Sequence, residues 1–218
     1  MSLFTGNLNE EIQSNVLKLL NTEGAALGLT ARSSPRAVGD GIQDYLSQKL
    51  PDILPPDLLD EFTGEFARRA MADVAFKDRE GNYYVVDIKT HCLSTKFNMP
   101  NLVSVERLSR FLEEPTNQFC IMYVAYDLVE EKWVFSDCKF IPIEFLDWSC
   151  LTIGALGWGQ IQIAKANRIV VKRQSRRSWM LELCDVLMDF YPREIGKIQT
   201  RITHFEAIRK RWLAKTED

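Results

Sequence analysis

Long apolar runs are missing from this chain. No stretch approaches the roughly 20 consecutive apolar residues that a membrane-spanning helix needs. The opening, MSLFTGNLNEEIQ, has neither the basic start nor the apolar core of a secretory signal. The expectation is a soluble protein that stays in the compartment where it is made. Cysteine is sparse: Cys92, Cys120, Cys138, Cys150 and Cys184 make an odd number with no CxxC pair. That sets aside a disulfide framework and a zinc site, and makes reduced thiols the default. Two histidines, His91 and His204, are too few for a histidine-rich metal centre. Repeats and low-complexity linkers are also lacking. The 218 residues, 46% of them hydrophobic, suffice for one well-cored domain over 1–218.

Net charge is nearly absent too. Lys and Arg number 27 against 30 Asp and Glu, leaving −3, which alone argues weakly against a polyanionic partner. The distribution reverses that. Residues 165–215 hold 13 basic and 5 acidic side chains, net +8, and the rest of the chain holds 14 and 25, net −11. A basic C-terminal region suits contact with phosphates; a solvated basic surface accounts for the same count.

Apolar spacing orders the elements. Ile12, Val16, Leu19 and Leu20 predict a helix within 8–26, and Ile42, Tyr45, Leu46 and Leu50 another within 38–50. Pro51, Pro55 and Pro56 break the chain, and 58–69 reads as a short helix. The period then changes. Residues 71–77 and 83–89 read as strands joined by the turn Asp78-Arg79-Glu80-Gly81-Asn82, an antiparallel hairpin. Helical spacing returns over 103–112, FCIMYVA at 119–125 reads as a buried strand, and 132–140 as an outer one. GALGWG at 154–159 fits neither nucleotide-binding fingerprint and no Lys-Ser/Thr follows it, so it reads as a bend or close backbone approach. Strands are expected over 160–163 and 168–172, and helices over 178–191 and 193–213, parted by Pro192. On the last helix Ile195, Ile198, Ile202, Phe205, Ile208 and Trp212 form a stripe that reads as core, with a dimer contact as the alternative. Trp148, Trp158, Trp179 and Trp212 read as core or interface residues. The order implies an α/β fold, a central mixed sheet flanked by helices.

The chemistry concentrates in Ala72-Asp73-Val74-Ala75-Phe76 and Val85-Val86-Asp87-Ile88-Lys89-Thr90. Asp87 and Lys89 stand two apart on a strand and share a face, while Ile88 turns to the core. Asp73 lies fourteen positions before Asp87, and the hairpin can bring the two carboxylates together. Gathering them is costly unless a cation compensates. Hard carboxylate oxygens suit Mg²⁺, which acidifies bound water and stabilises charge on a phosphoryl group. The plain alternative is an exposed Asp87–Lys89 ion pair, which is common and worth little.

The run MADVAFKDREGNYYVVDIKTH resembles the active-site hairpin of type II restriction endonucleases of the PD-(D/E)xK superfamily, most closely the HincII-like branch. There the hairpin likewise opens with Ala-Asp and closes with Asp-x-Lys-Thr, followed by a serine, Pro-Asn and an apolar helix. Ser94, Pro100-Asn101 and 102–112 stand at matching intervals here, so the specific likeness covers about 71–112.

The resemblance implies a restriction-endonuclease-like core. Asp73, Asp87 and Lys89 would be catalytic, with Mg²⁺ (or Mn²⁺ in its place) held by Asp73, Asp87 and the backbone carbonyl of Ile88. Asp40, with Asp44 second, is the candidate for the accessory acid that the superfamily often carries on an early helix. Thr90 corresponds to a residue beside the scissile phosphate. The loop at about 91–101 would reach DNA through Asn98, Met99 and Asn101, with Ser94 and Lys96 positioning its backbone. Gln160-Ile161-Gln162 resembles a Gln-x-Gln strand near that family's recognition region, so Gln160 and Gln162 join the DNA-binding candidates. Lys172, Arg173, Arg176 and Arg177 are candidates for phosphate contact; a solvated turn is the alternative. His91 reads as a partly exposed structural histidine.

The departures are Ala72 where the superfamily's name has Pro, Asn98 where the branch has a longer Gln, and a divergent stretch at 154–158. The implied activity is Mg²⁺-dependent hydrolysis of double-stranded DNA at a specific palindromic site. It would leave 5′-phosphates and blunt ends, in a bacterial or archaeal cytoplasm with a protective DNA methyltransferase as functional partner. Two-fold sites imply a homodimer, and the branch implies a site of about six base pairs. The rival readings are a structure-selective repair or junction-resolving nuclease with the same core, a catalytically silent DNA-binding protein, and an interaction domain with a chance motif.

Overall fold

The computed structural model describes residues 3–4, 6–23, 34–63, 71–95, 100–164 and 169–215. The chain forms two compact units, Met1–Arg173 and Gln174–Asp218. The first is an α/β fold built on a mixed five-stranded sheet and a separate three-stranded one. No described helix is long and apolar enough to cross a membrane.

Two helices open the first unit. α1 (Asn7–Glu23) buries Ile12, Val16 and Leu20, a strict i, i+4 row. α2 (Pro35–Ile53) begins where the Ser34 hydroxyl accepts from the Ala37 N–H and Pro35 supplies a preset first turn. It buries Val38, Gly39, Ile42, Leu46 and Leu50. The two helices pack their apolar rows against one face of the large sheet, where Val74, Phe76, Tyr84, Val86, Ile88, Met122 and Val124 complete the core.

The sheet runs β1-β2-β3-β5-β6. Its members are β1 (Leu59–Thr63), β2 (Val74–Asp78), β3 (Tyr83–Cys92), β5 (Asn117–Val129) and β6 (Lys132–Pro142). All neighbours are antiparallel except β3 and β5, which pair in parallel from Tyr83↔Asn117 to Cys92↔Tyr126. That parallel crossover passes through β4 (Asn101–Ser104) and α3 (Val105–Phe111), and makes the sheet mixed. β3 and β5 are central, which is why 119–126 of β5 reads as a continuous apolar run and β3 opens with one at 83–86. β7 (Leu151–Gly154) and β8 (Gln160–Ile163) join β4 in the small sheet, ordered β4-β8-β7.

Three expected elements of this unit form differently. Residues 59–63 form the edge strand β1 rather than the start of a helix, because pairing with β2 (Phe62↔Phe76, Thr63↔Ala75) outweighs local helical spacing. The helix expected from 103 begins at Val105, because Asn101–Ser104 pairs with β8. Around 168–172 the described part makes only the single bridge Leu146↔Val171. β7, which runs into GALGWG, is a further strand that the apolar spacing does not announce.

The second unit is one helix, α4 (Arg176–Leu213), 38 residues long. Pro192 lies inside it and does not divide it. A proline fits helical φ but removes the N–H that would bond the Met188 carbonyl and crowds that carbonyl; the Arg193 side chain donates to the neighbouring Asp189 carbonyl at 3.0 Å. Nothing within this unit covers the expected core stripe: Ile195 is 66% and Phe205 65% accessible. Trp158 and Trp212 are exposed as well.

Candidate active site

The β2–β3 hairpin sets the geometry. Asp78 ends β2 and its carboxylate accepts from the Glu80 and Asn82 backbone N–H groups (3.0 and 2.8 Å), the Asn82 side chain (2.8 Å) and the Tyr84 hydroxyl (3.0 Å). Burial pushes that carboxyl up, but the donors outweigh it and hold it below the usual carboxylate range. Gly81, at φ +85°, closes the turn in a region that favours glycine. The turn fixes the register Lys77↔Tyr83 through Val74↔Val86. One step further, the Asp73 N–H bonds the Val86 carbonyl at 3.0 Å, which sets Asp73 beside Asp87.

The two carboxylates are held differently. Asp73 accepts from the Ile88 N–H at 2.7 Å through Oδ2 and from the Gln43 side chain through Oδ1. Burial raises its pKa against the lowering effects of the Ile88 N–H, the Lys89 charge and Gln43. Asp87 is 4% accessible. Its Oδ1 accepts from the Lys89 ammonium at 2.6 Å, and its buried Oδ2 has no hydrogen-bond partner. Burial pushes the carboxyl up to about 7, Lys89 pulls it down, and the Asp73 charge adds to the rise. A buried unpaired carboxylate oxygen is costly, so its persistence calls for a compensating cation or proton.

A comparison within the same sheet shows why burial matters. Asp137 and Lys139 on β6 form a second Asp-x-Lys pair at 2.8 Å, but their side chains are 45% and 36% exposed. That pair is an ordinary surface contact of small worth. Asp87 and Lys89, at 5% and 21%, are not.

A cleft of about 350 Å³ opens beside the hairpin, between α2 and β3. Gly39, Asp40 and Gln43 line one wall and Ile88, Lys89 and Thr90 the other. Gln43 and Lys89 thus link the cleft to the two carboxylates. Gly39 permits the close approach: a Cβ there would stand 2.6 Å from the Thr90 hydroxyl oxygen. Threonine is stiff at χ1 and cannot simply swing away. Gly39→Ala is therefore expected to cost about 1–3 kcal/mol of stability by overpacking. It should also slow any reaction in the cleft by on the order of 10²-fold, since a 1 Å misplacement has that effect. Thermal unfolding and rate measurements on Gly39→Ala and on Gly39→Ala/Thr90→Ala check this. If removing the hydroxyl restores neither quantity, the clash is not the cause.

The sequence-derived candidates distribute as follows. Asp73, Asp87, Ile88, Lys89 and Thr90 come together. Asp40 lines the cleft but is exposed and within 3.9 Å of Arg36. Asp44 is the helix acid whose charge bears on Asp73. Asn101 and Gln162 meet on the small sheet, where Gln162 Nε2 donates to the side-chain Oδ1 of Asn101 at 2.5 Å. Gln160 and Gln162 share one face of β8, opposite Gly154 and Thr152 of β7. Ser94 is exposed and contacts the Cys92 sulfur at 3.1 Å. Lys172 stands 3.9 Å from Asp147. Arg173 ends the first unit, and Arg176 and Arg177 begin α4. Lys96, Asn98 and Met99 lie outside the described residues. His91, expected to be partly exposed, is buried and stacks on Tyr123 at 6.4 Å. Gln43 and Gly39 were missed. A glycine inside a helical pattern was the available signal for Gly39; Gln43 had none.

Among the described residues no three His, Cys, Asp or Glu side chains gather as a metal cluster. Two carboxylates and a backbone carbonyl still suit a hard cation that keeps several waters, and the unpartnered Asp87 Oδ2 fits that role. No model of a known protein family matches the chain, and no curated protein matches it.

Proposed function

We propose that the protein is a divalent-cation-dependent endonuclease acting on double-stranded DNA, in the manner of a type II restriction enzyme. The observation that carries this reading is the hairpin's set of groups: Asp73 beside Asp87, Lys89 on Asp87, and a buried Asp87 oxygen lacking a partner. Asp73, Asp87 and the Ile88 carbonyl would hold Mg²⁺, with Mn²⁺ as a substitute. Bound there, the cation supplies an acidified water and a positive charge against the phosphoryl group.

The chain's own groups do the rest. Lys89 releases Asp87 and turns its ammonium to the attacking water and the phosphate oxygens. Gln43 and the Ile88 N–H orient Asp73 and favour its ionised form against the effect of burial. Thr90 offers a hydroxyl to the phosphate from the same wall. Water oxygen would attack phosphorus in line and lose a proton to solvent, the P–O3′ bond would break, and the 3′-oxygen would take a proton from solvent. The products carry 5′-phosphate and 3′-hydroxyl ends. The polar face of the small sheet, with Asn101, Gln160 and Gln162, is the surface we assign to base edges, since amides pair bidentately with adenine. Reading of a palindromic site implies a homodimer, blunt cutting follows the family resemblance, and a cognate methyltransferase would protect host DNA.

The test is digestion of a long unmethylated DNA of known sequence with Mg²⁺ and with EDTA. Discrete fragments only with Mg²⁺ are expected, and their ends give the site and cut. Cutting confined to branched or mismatched DNA would transfer the site to a structure-selective nuclease. Binding in Ca²⁺ without cutting in Mg²⁺ would leave a silent DNA-binding protein.

A further inference from the structure

Helix α4 carries an apolar seam that nothing in its own unit explains. Met188, Ile195 and Ile202 follow one another at seven-residue intervals, and Tyr191, Ile198, Phe205 and Trp212 do the same three residues on. These are the a and d positions of a heptad repeat. A seven-residue repeat of apolar residues is the signature of a left-handed coiled coil; Ile208 at g and Leu213 at e widen the seam at its C-terminal end. Every one of these side chains is exposed or on the boundary of it: Met188 73%, Tyr191 36%, Ile198 48%, Ile202 47% and Trp212 64%. A seam of that length, open to water on a single helix, needs a second helix of the same repeat.

We infer that α4 is the interface between two copies of this chain, which pair as a parallel, in-register two-stranded coiled coil. The flanking charges fit that arrangement. Arg201 occupies a g position and Glu206 the e position five residues later, so each Arg201 faces Glu206 of the other copy, twice by symmetry. Arg209, at a, is the polar exception that fixes register at a cost in stability. Cys184 falls at the d position one heptad before Tyr191 and is the exposed cysteine of the five. In a parallel pair the two copies of Cys184 face each other across the axis, within reach of a disulfide. Pairing through α4 is independent of the nuclease reading.

Sedimentation equilibrium of the full chain at micromolar concentration tests this. The expected mass is twice the 25.1 kDa of the monomer. Ile198→Glu/Ile202→Glu should halve it, and because both side chains are exposed in the single chain, the circular dichroism melt of the remaining fold should persist. Arg209→Ile should tighten the dimer by tenfold or more. Mild oxidation should give a covalent dimer that Cys184→Ser abolishes. A monomeric wild type, or a dimer unaffected by Ile198→Glu/Ile202→Glu, overturns the interface. A dimer that Ile198→Glu/Ile202→Glu disrupts but that Cys184 never cross-links overturns the parallel orientation.

Discussion

Asp87→Asn is expected to abolish DNA cleavage and at the same time to stabilise the cation-free protein at pH 8. The two effects have one cause. In the fold the Asp87 carboxyl titrates at about 7, against 3.8 for the ordinary group. A carboxyl raised in this way contributes stability that is fully present below the unfolded value and lost as pH rises through the folded one. Without divalent cation, the wild type should therefore lose stability between about pH 4 and pH 7, and Asp87→Asn should not share that loss. At pH 8 the variant should exceed the wild type by about 1–3 kcal/mol, the usual cost of an uncompensated buried polar group. Ca²⁺ should reverse the order, because a ligand that binds only the folded state adds stability, and the cation needs the ionised carboxylate. Its stabilisation of the wild type should grow with pH and vanish in Asp87→Asn. Cleavage should fall by at least about 10³-fold, since the cation's charge stabilisation is worth several kcal/mol. Melting curves from pH 5 to 8, with and without Ca²⁺, decide the matter. A variant no more stable than wild type at pH 8, or one still stabilised by Ca²⁺, removes Asp87 from the cation site.

Lys89→Ala should give the mirror image. Its cleavage should fall as far as that of Asp87→Asn or Asp73→Ala, while binding to duplex DNA in Ca²⁺ persists. At pH 8 it leaves a buried carboxylate without its ammonium, a loss of about 3–5 kcal/mol for a fully buried pair. Lys89 is partly exposed, so about 1–3 kcal/mol is the discounted figure. At pH 5 the Asp87 carboxyl is protonated and the penalty should largely disappear. Asp87→Asn/Lys89→Ala should recover the stability and not the activity. Lys139→Ala, in the exposed pair on β6, should change stability by less than about 0.5 kcal/mol at either pH. Substantial residual cutting by a verified Lys89→Ala protein would end its catalytic assignment.

Much of the site was legible before any coordinates. Side-chain alternation on a strand places Asp87 and Lys89 together whatever surrounds them, and Asp78-Arg79-Glu80-Gly81-Asn82 announces the turn that returns Asp73 to them. Their chemical weight was not legible. Asp87-Ile88-Lys89 and Asp137-Cys138-Lys139 look equivalent as text, and only burial separates a strained pair from an ordinary one. Gln43 and Gly39 were invisible for a related reason: their partners, Asp73 and Thr90, lie 30 and 51 positions away.

Local period determined α1, α2, the β2–β3 hairpin and β5, because each carries an apolar pattern that one secondary structure satisfies alone. It also determined the heptad on α4, which reads the same whether the seam is buried or bare. Tertiary structure decided the rest. Residues 59–63 became a strand because β2 offered hydrogen bonds that a short helix could not match. Pro192 stayed within one helix because the turns on either side hold against its missing donor and the crowded Met188 carbonyl. The stripe of α4 is bare within its own unit, because periodicity specifies which side of a helix is apolar and only packing against other segments can cover it.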